Sequence, residues 1–148
     1  MYELANGGIP VHKTKMYSPV QVAVSSLLGG PCAAVFVLWK NFQGLDNSSG
    51  ATHTIVWGTF LVLLVFLTIP FLPEKFPNSP IPIVYTVVAV CVARQYQLSK
   101  KEILESERYE IRSNWNVLGI SIAFLFATVA ILLSWFLLLD FAGIVNLG

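Results

Sequence analysis

Four apolar runs alternate with short polar segments along the chain, at about residues 19–39, 55–72, 80–96 and 117–141. Ser18 followed by Pro19 predicts the start of the first helix. A serine oxygen caps free N–H groups, and proline at the first position lacks only a donor that has no partner there. Inside this helix, Leu28-Gly29-Gly30-Pro31 predicts a kink near Leu27–Pro31, or a true break. Proline removes a backbone hydrogen bond and clashes with the preceding turn. The second run, Ile55–Leu72, holds 18 residues without a charge, with Trp57 as an interfacial anchor. Pro70, Pro73, Pro77, Pro80 and Pro82 then predict an extended turn. The third run, Ile81–Ala93, covers only about 20 Å at helical rise. It spans if it extends toward Pro77 and Tyr96, and is otherwise re-entrant. The last run, Val117–Phe141, is long, with Trp115 and Trp135 toward its ends and Asp140 at the far interface.

Ser99–Asn114 is the one charged segment. Ser99 and Glu102 have capping-box spacing, and Ile103, Leu104 and Ile111 fall on one side of a helix. A short amphipathic helix over about 99–113, lying on the membrane surface, is the expectation. Lys100, Lys101, Arg108 and Arg112 are its candidate surface-binding residues, balanced by Glu102, Glu105, Glu107 and Glu110. The predicted fold is therefore an all-α integral membrane protein of three or four embedded helices, with residues 1–16 a polar tail and residues 17–148 one transmembrane domain.

Composition agrees with lipid as the solvent. Hydrophobic residues make up 55% and charged residues 11%, against roughly 25% charged in soluble domains. The net charge of +1 offers no footprint for nucleic acid. Lys13 and Lys15 precede the first run as in a signal peptide, but no small-residue cleavage motif follows, so a retained segment is expected.

In lipid, helices associate through close backbone approach over small residues. Ser25, Gly29 and Ala33 form one such row, Ser26, Gly30 and Ala34 the next, and Gly119, Ala123 and Ala127 a third. These rows predict packing within the chain, self-association, or docking into a larger membrane complex. A second reading of the break at Gly29-Gly30-Pro31 is unwound backbone lining a site, as in broken transporter helices.

Chemistry-bearing residues are sparse. Cys32 and Cys91 sit in apolar runs and read as small hydrophobes. His12 and His53 stand alone, and the span centres hold no ionisable residue. Asn47-Ser48-Ser49 is sequon-like, which matters only on a glycosylating side. No cofactor or metal is expected, and the predicted function is non-enzymatic. One alternative is a homo-oligomeric channel or permease, with Ser25, Ser26, Thr59 or Thr128 facing water. The other is an enzyme on a lipid or lipid-linked substrate, using Asp140, His53 or loop polar groups.

Several motifs resemble a family of small uncharacterised bacterial inner-membrane proteins. They are Tyr17-Ser18-Pro19-x-Gln21, Leu28-Gly29-Gly30-Pro31, Lys40-Asn41-Phe42, Leu72-Pro73-Glu74-Lys75-Phe76-Pro77-Asn78 and Ser113-Asn114-Trp115-Asn116-Val117-Leu118-Gly119. The resemblance covers about residues 16–140. It implies an inner-membrane location and no particular activity. In that family the first loop is more basic and reads as cytoplasmic, which implies four spans with the N-terminus outside. Here that loop holds only Lys40.

Basic residues favour the cytoplasmic side. Four spans place six Lys or Arg inside and three outside, while three spans with a re-entrant third run place eight inside and one outside. Both topologies make the 99–114 loop cytoplasmic and the C-terminus external. Reporters active on one side of the membrane, fused within that loop and after Gly148, are expected to show opposite sides. A cytoplasmic signal from the C-terminal fusion would refute the assignment.

Overall fold

A computed structural model describes residues 4–5, 9–10, 13–72 and 80–144. The elements run β1 (Leu4–Ala5), β2 (Ile9–Pro10), β3 (Thr14–Met16), α1 (Pro19–Gly44), α2 (Ser48–Thr68), α3 (Pro80–Tyr96), α4 (Lys100–Glu105), β4 (Tyr109–Ile111) and α5 (Asn114–Phe141). A 3-10 turn, Ile69–Phe71, extends α2. By length and composition, Pro19–Gly44, Ser48–Phe71 and Asn114–Phe141 could each cross a membrane, and Pro80–Tyr96 is a shorter apolar helix.

The first of these does not run straight. Ser18 caps α1 in a full capping box with Gln21, and Pro19 opens the helix, as predicted. At Gly30 the backbone leaves the helix with φ 77° and ψ −172°, immediately before Pro31. That φ is open to glycine without a Cβ clash. A straight helix would hold Tyr17 and Asn41 about 36 Å apart. Instead the Tyr17 N–H donates to Asn41 Oδ1 at 2.8 Å, and Asn41 Nδ2 donates to the Tyr17 carbonyl at 2.7 Å. α1 is therefore a helical hairpin, with both ends at one end of the molecule and its tip at Gly30. Its arms, Pro19–Gly29 and Pro31–Gly44, are roughly 16 Å and 21 Å long, about half and two-thirds of a hydrocarbon core of ~30 Å. Of the two expectations for Leu27–Pro31, a kink or a true break, the backbone takes the break. The chain reverses within the first apolar run, while the third forms one uninterrupted helix, Pro80–Tyr96.

α2, α3 and α5 each pack on this hairpin and make few contacts with one another. Asn47 caps α2 by accepting from the Gly50 N–H at 2.8 Å. The polar cluster Asn47-Ser48-Ser49-Gly50 is therefore a cap and a first helical turn, so α2 starts earlier than the apolar run implies. The turn into it places Asp46 at φ 56°, a conformation Asp tolerates better than most residues. Gln97, just past α3, accepts from Asn41 Nδ2 at 2.8 Å and donates to the Leu38 carbonyl at 3.0 Å. α3 thus ends where the hairpin arms begin and end.

α5 starts at that same end. β3 and β4 pair in parallel, Lys15 opposite Glu110, and Gln21 Nε2 donates to the Arg112 carbonyl and Asn114 Oδ1 at 2.7 and 2.8 Å. The basic end of the molecule thus gathers β3, the α1–α2 turn, the α3 C-terminus, α4 and β4. Two expectations change here. Residues 14–16 are a paired strand with Met16 fully buried, and the 99–113 helix stops at Glu105. Ser99 and Glu102 do form the predicted capping box. Beyond Ser106, however, β3 offers unpaired backbone groups, and Tyr109–Ile111 takes them as a strand. The predicted proline-rich turn falls mostly on residues 73–79, outside the described residues.

Asn41→Leu would strand the Tyr17 backbone pair and Gln97 in a buried site, at roughly 1–3 kcal/mol for each group left unpaired. The expected result is a clear drop in the melting temperature of the detergent-solubilised protein, larger than for Asn116→Leu. Asn116 makes one partly buried bond, accepting from the Tyr17 hydroxyl. Equal melting of Asn41→Leu and the unaltered chain would show that the pair does not hold the hairpin shut.

Candidate functional site

Three regions carry chemistry: the hairpin contact with α5, the basic end, and a cleft beside the hairpin. At the first, Ser25 and Ser121 are fully buried with their hydroxyls 3.2 Å apart, and Ser121 also donates to the Val117 carbonyl at 2.7 Å. Ser26, also fully buried, donates to the Val22 carbonyl at 2.8 Å. The Thr128 hydroxyl faces the Gly29 carbonyl at the hairpin tip, 3.5 Å away. A Cβ on Gly29 would lie 2.6 Å from Ala33 Cβ and 3.0 Å from the Ser121 carbonyl oxygen. Ser25, Ser26, Gly29, Pro31, Ala33 and Ala34 are all buried, and Gly30 supplies the turn between the arms.

The third small row behaves differently. Gly119, Ala123 and Ala127 are exposed, and a Cβ on Gly119 would meet nothing within 4 Å. The side of α5 that meets the hairpin holds Val117, Ser121, Phe124 and Thr128, with the Phe124 ring 5.2 Å from that of Phe36. Within this chain the row packs against nothing described, because the polar pairs turn the opposite side of α5 inward. A close approach outside the three predicted rows is Gly58 on α2, where a Cβ would fall 2.5 Å from a Val35 methyl. Gly50, Thr54 and Gly58 stand at four-residue spacing, so a small row was present on α2 as well.

At the basic end the four candidate cations divide. Arg108 pairs with Asp46, and its guanidinium also lies 5.5 Å from the Tyr109 ring centre. Arg112 lies over the Tyr17 ring at 5.0 Å and donates to the Lys15 carbonyl at 3.5 Å. Lys101 reaches Glu105 at 3.7 Å on the exposed side of α4, where Lys100 is also exposed. Arg108 and Arg112 thus join elements within the chain. Burial pushes the Tyr17 hydroxyl above its ordinary pKa, partly opposed by the Arg112 charge. Hydrogen bonds from Ser99 hold the exposed Glu102 carboxyl below the usual range.

The cleft lies between α2 and α3, floored by the second hairpin arm, with a cavity volume of about 520 Å³. Pro31, Ala34, Val35, Leu38 and Phe42 form its floor. α2 contributes His53, Thr54, Trp57, Gly58 and Leu61, and α3 contributes Tyr85, Val88, Ala89, Val92 and Tyr96. Asn47 and Ser49 stand at its mouth. Ser49 and His53 are one helical turn apart, with the hydroxyl 3.3 Å from Nδ1. Nδ1 also lies 2.8 Å from the Ser49 carbonyl oxygen, which can only accept, so this contact forms in the tautomer protonated on Nδ1. In that tautomer Nδ1 is a donor and not a base toward the serine. Both cysteines are free thiols, and among the described residues no three His, Cys, Asp or Glu side chains converge on a metal site.

Comparison with protein-family models, curated proteins and solved structures finds no match for the chain. The functional reading therefore stands on this geometry.

Gly29→Leu and Gly30→Leu are expected to abolish monodisperse protein, the first by steric clash and the second by strain at positive φ. Val24→Leu, on a residue 40% exposed, should leave yield and elution unchanged. Equal behaviour of all three on size exclusion would refute the tight hairpin.

Proposed function

We propose that the chain is a non-enzymatic integral membrane protein that associates with itself or with a larger membrane complex. In this reading α2, α3 and α5 cross the bilayer, and α1 re-enters from the basic side. That side holds eight of the nine Lys and Arg residues: Lys13, Lys15, Lys40, Arg94, Lys100, Lys101, Arg108 and Arg112. The positive-inside tendency makes it cytoplasmic, here the cytoplasmic side of an inner membrane. The strand pairing of β3 with β4 then favours a cytoplasmic N-terminal segment, in place of the external one implied by the family resemblance.

The observation that carries the association reading is the row Gly119, Ala123 and Ala127. It presents α5 backbone outward, on the side turned away from the hairpin. Small residues on an outer helix surface allow a second helix to approach at backbone distance.

The channel alternative is less well supported. It needs water at Ser25, Ser26, Thr59 or Thr128. Ser25 and Ser26 are fully buried and bonded inside the fold, Thr128 faces the hairpin tip, and Thr59 points outward from α2 among Val56, Phe60 and Leu63. The broken-helix alternative meets a tip whose Gly29 carbonyl already faces a hydroxyl. For the enzyme alternative, His53 is bonded within its own helical turn, to the Ser49 hydroxyl and carbonyl.

Mass analysis of particles purified in mild detergent tests the proposal. The expected particle exceeds one chain, and Gly119→Leu with Ala123→Leu reduces it to a single chain without lowering its melting temperature. A single-chain mass for the unaltered protein, or an unchanged particle in the double variant, would exclude association through this row.

A further inference from the structure

We infer that the cleft between α2 and α3 holds one acyl chain of a phospholipid from the leaflet on the basic side, with the ester region of that lipid at Asn47, Ser49 and His53. The inference rests on the membrane reading above and extends it to a ligand.

α2 and α3 both pack on α1 but barely on each other, so the cleft opens sideways into the surrounding lipid. Its polarity changes with depth. Asn47, Ser49 and His53 stand at the level of the α1–α2 turn, where headgroups and esters lie. Deeper positions, from Trp57 to Leu61 on α2, are apolar. From Ser49 to Leu61 the cleft runs about 18 Å at helical rise, close to one leaflet's share, ~15 Å, of the hydrocarbon core.

The lining carries no Asp, Glu, Lys or Arg. The Asn47 amide and the Ser49 hydroxyl are neutral donors at the mouth, and they suit ester carbonyl oxygens, which only accept. The cleft offers a cavity volume of about 520 Å³. That volume lies within the ~300–1,000 Å³ of sites for small ligands.

The test uses the full chain, extracted from membranes in mild detergent and examined by native mass spectrometry with lipid identification. One phospholipid per chain is expected. Val88 lines the cleft, whereas its neighbour Val87 is exposed on α3 outside it. Val88→Phe should lower lipid occupancy at least five-fold, and Val87→Phe should leave it unchanged. Thr54→Phe, entering the cleft from α2, repeats the loss independently should Val88→Phe misfold. Lipid-free protein, equal occupancy in the Val87 and Val88 variants, or a bound polypeptide in place of lipid would overturn the inference. A chain that does not fractionate with membranes refutes the membrane reading itself, while one that does and yet emerges lipid-free refutes only the cleft.

Discussion

The paired hydrogen bonds between the Asn41 side chain and the Tyr17 backbone set the geometry of this protein. A carboxamide carries one acceptor and one donor group at the spacing of a peptide, so Asn41 completes a backbone pairing across 24 residues. The site is fully buried or nearly so on both sides. Leaving either backbone group unpaired there costs more than the net value of one hydrogen bond. The same amide nitrogen also donates to Gln97, so closing the hairpin and docking the end of α3 are one event. Tyr17 extends the cluster through Asn116 to the start of α5, and the Arg112 guanidinium covers its ring.

With the hairpin closed, the rest of the architecture follows from what its two arms present. Ser25 and Gly29 face α5, and Ser121 supplies the matching hydroxyl. Gly58 lets α2 lie against Val35, while Ala89 and Ala93 bring α3 against the same core. Because the arms are short, α2 and α5 continue beyond the tip with mostly apolar, outward-facing side chains. Because α2 and α3 share the hairpin and not each other, a gap opens between them on the basic side. The polar groups of the hairpin–α5 contact are thus used to hold helices together, and the cleft between α2 and α3 is mostly apolar. That division favours helix association and lipid contact as the modes of action.

Much of the local structure was legible in the residues. Ser18-Pro19 and Ser99 with Glu102 announce their caps, because capping needs only side chains within one turn. Gly29-Gly30-Pro31 announces a break for an equally local reason. The motif residues Tyr17, Gln21, Asn41, Asn114 and Asn116 were visible as a pattern, but their convergence into one hydrogen-bonded cluster was not. Gln21 and Asn114 lie 93 positions apart. The outer row on α5 had the right spacing for packing. Spacing says which residues share a side, yet not whether that side turns in or out. The strand at Tyr109–Ile111 was hidden because its partner, β3, lies in what composition marks as a polar tail.

By itself the sequence determined the helices: apolar runs, three of them long enough to cross a membrane, and the caps and prolines that bound them. Only the tertiary structure decided that the first run turns back on itself, which side of α5 faces inward, and where a cleft remains. A break in a helix leaves the direction of the following segment free. That direction is chosen by contacts between residues far apart in the chain, here an asparagine amide and a tyrosine backbone brought to 2.8 Å.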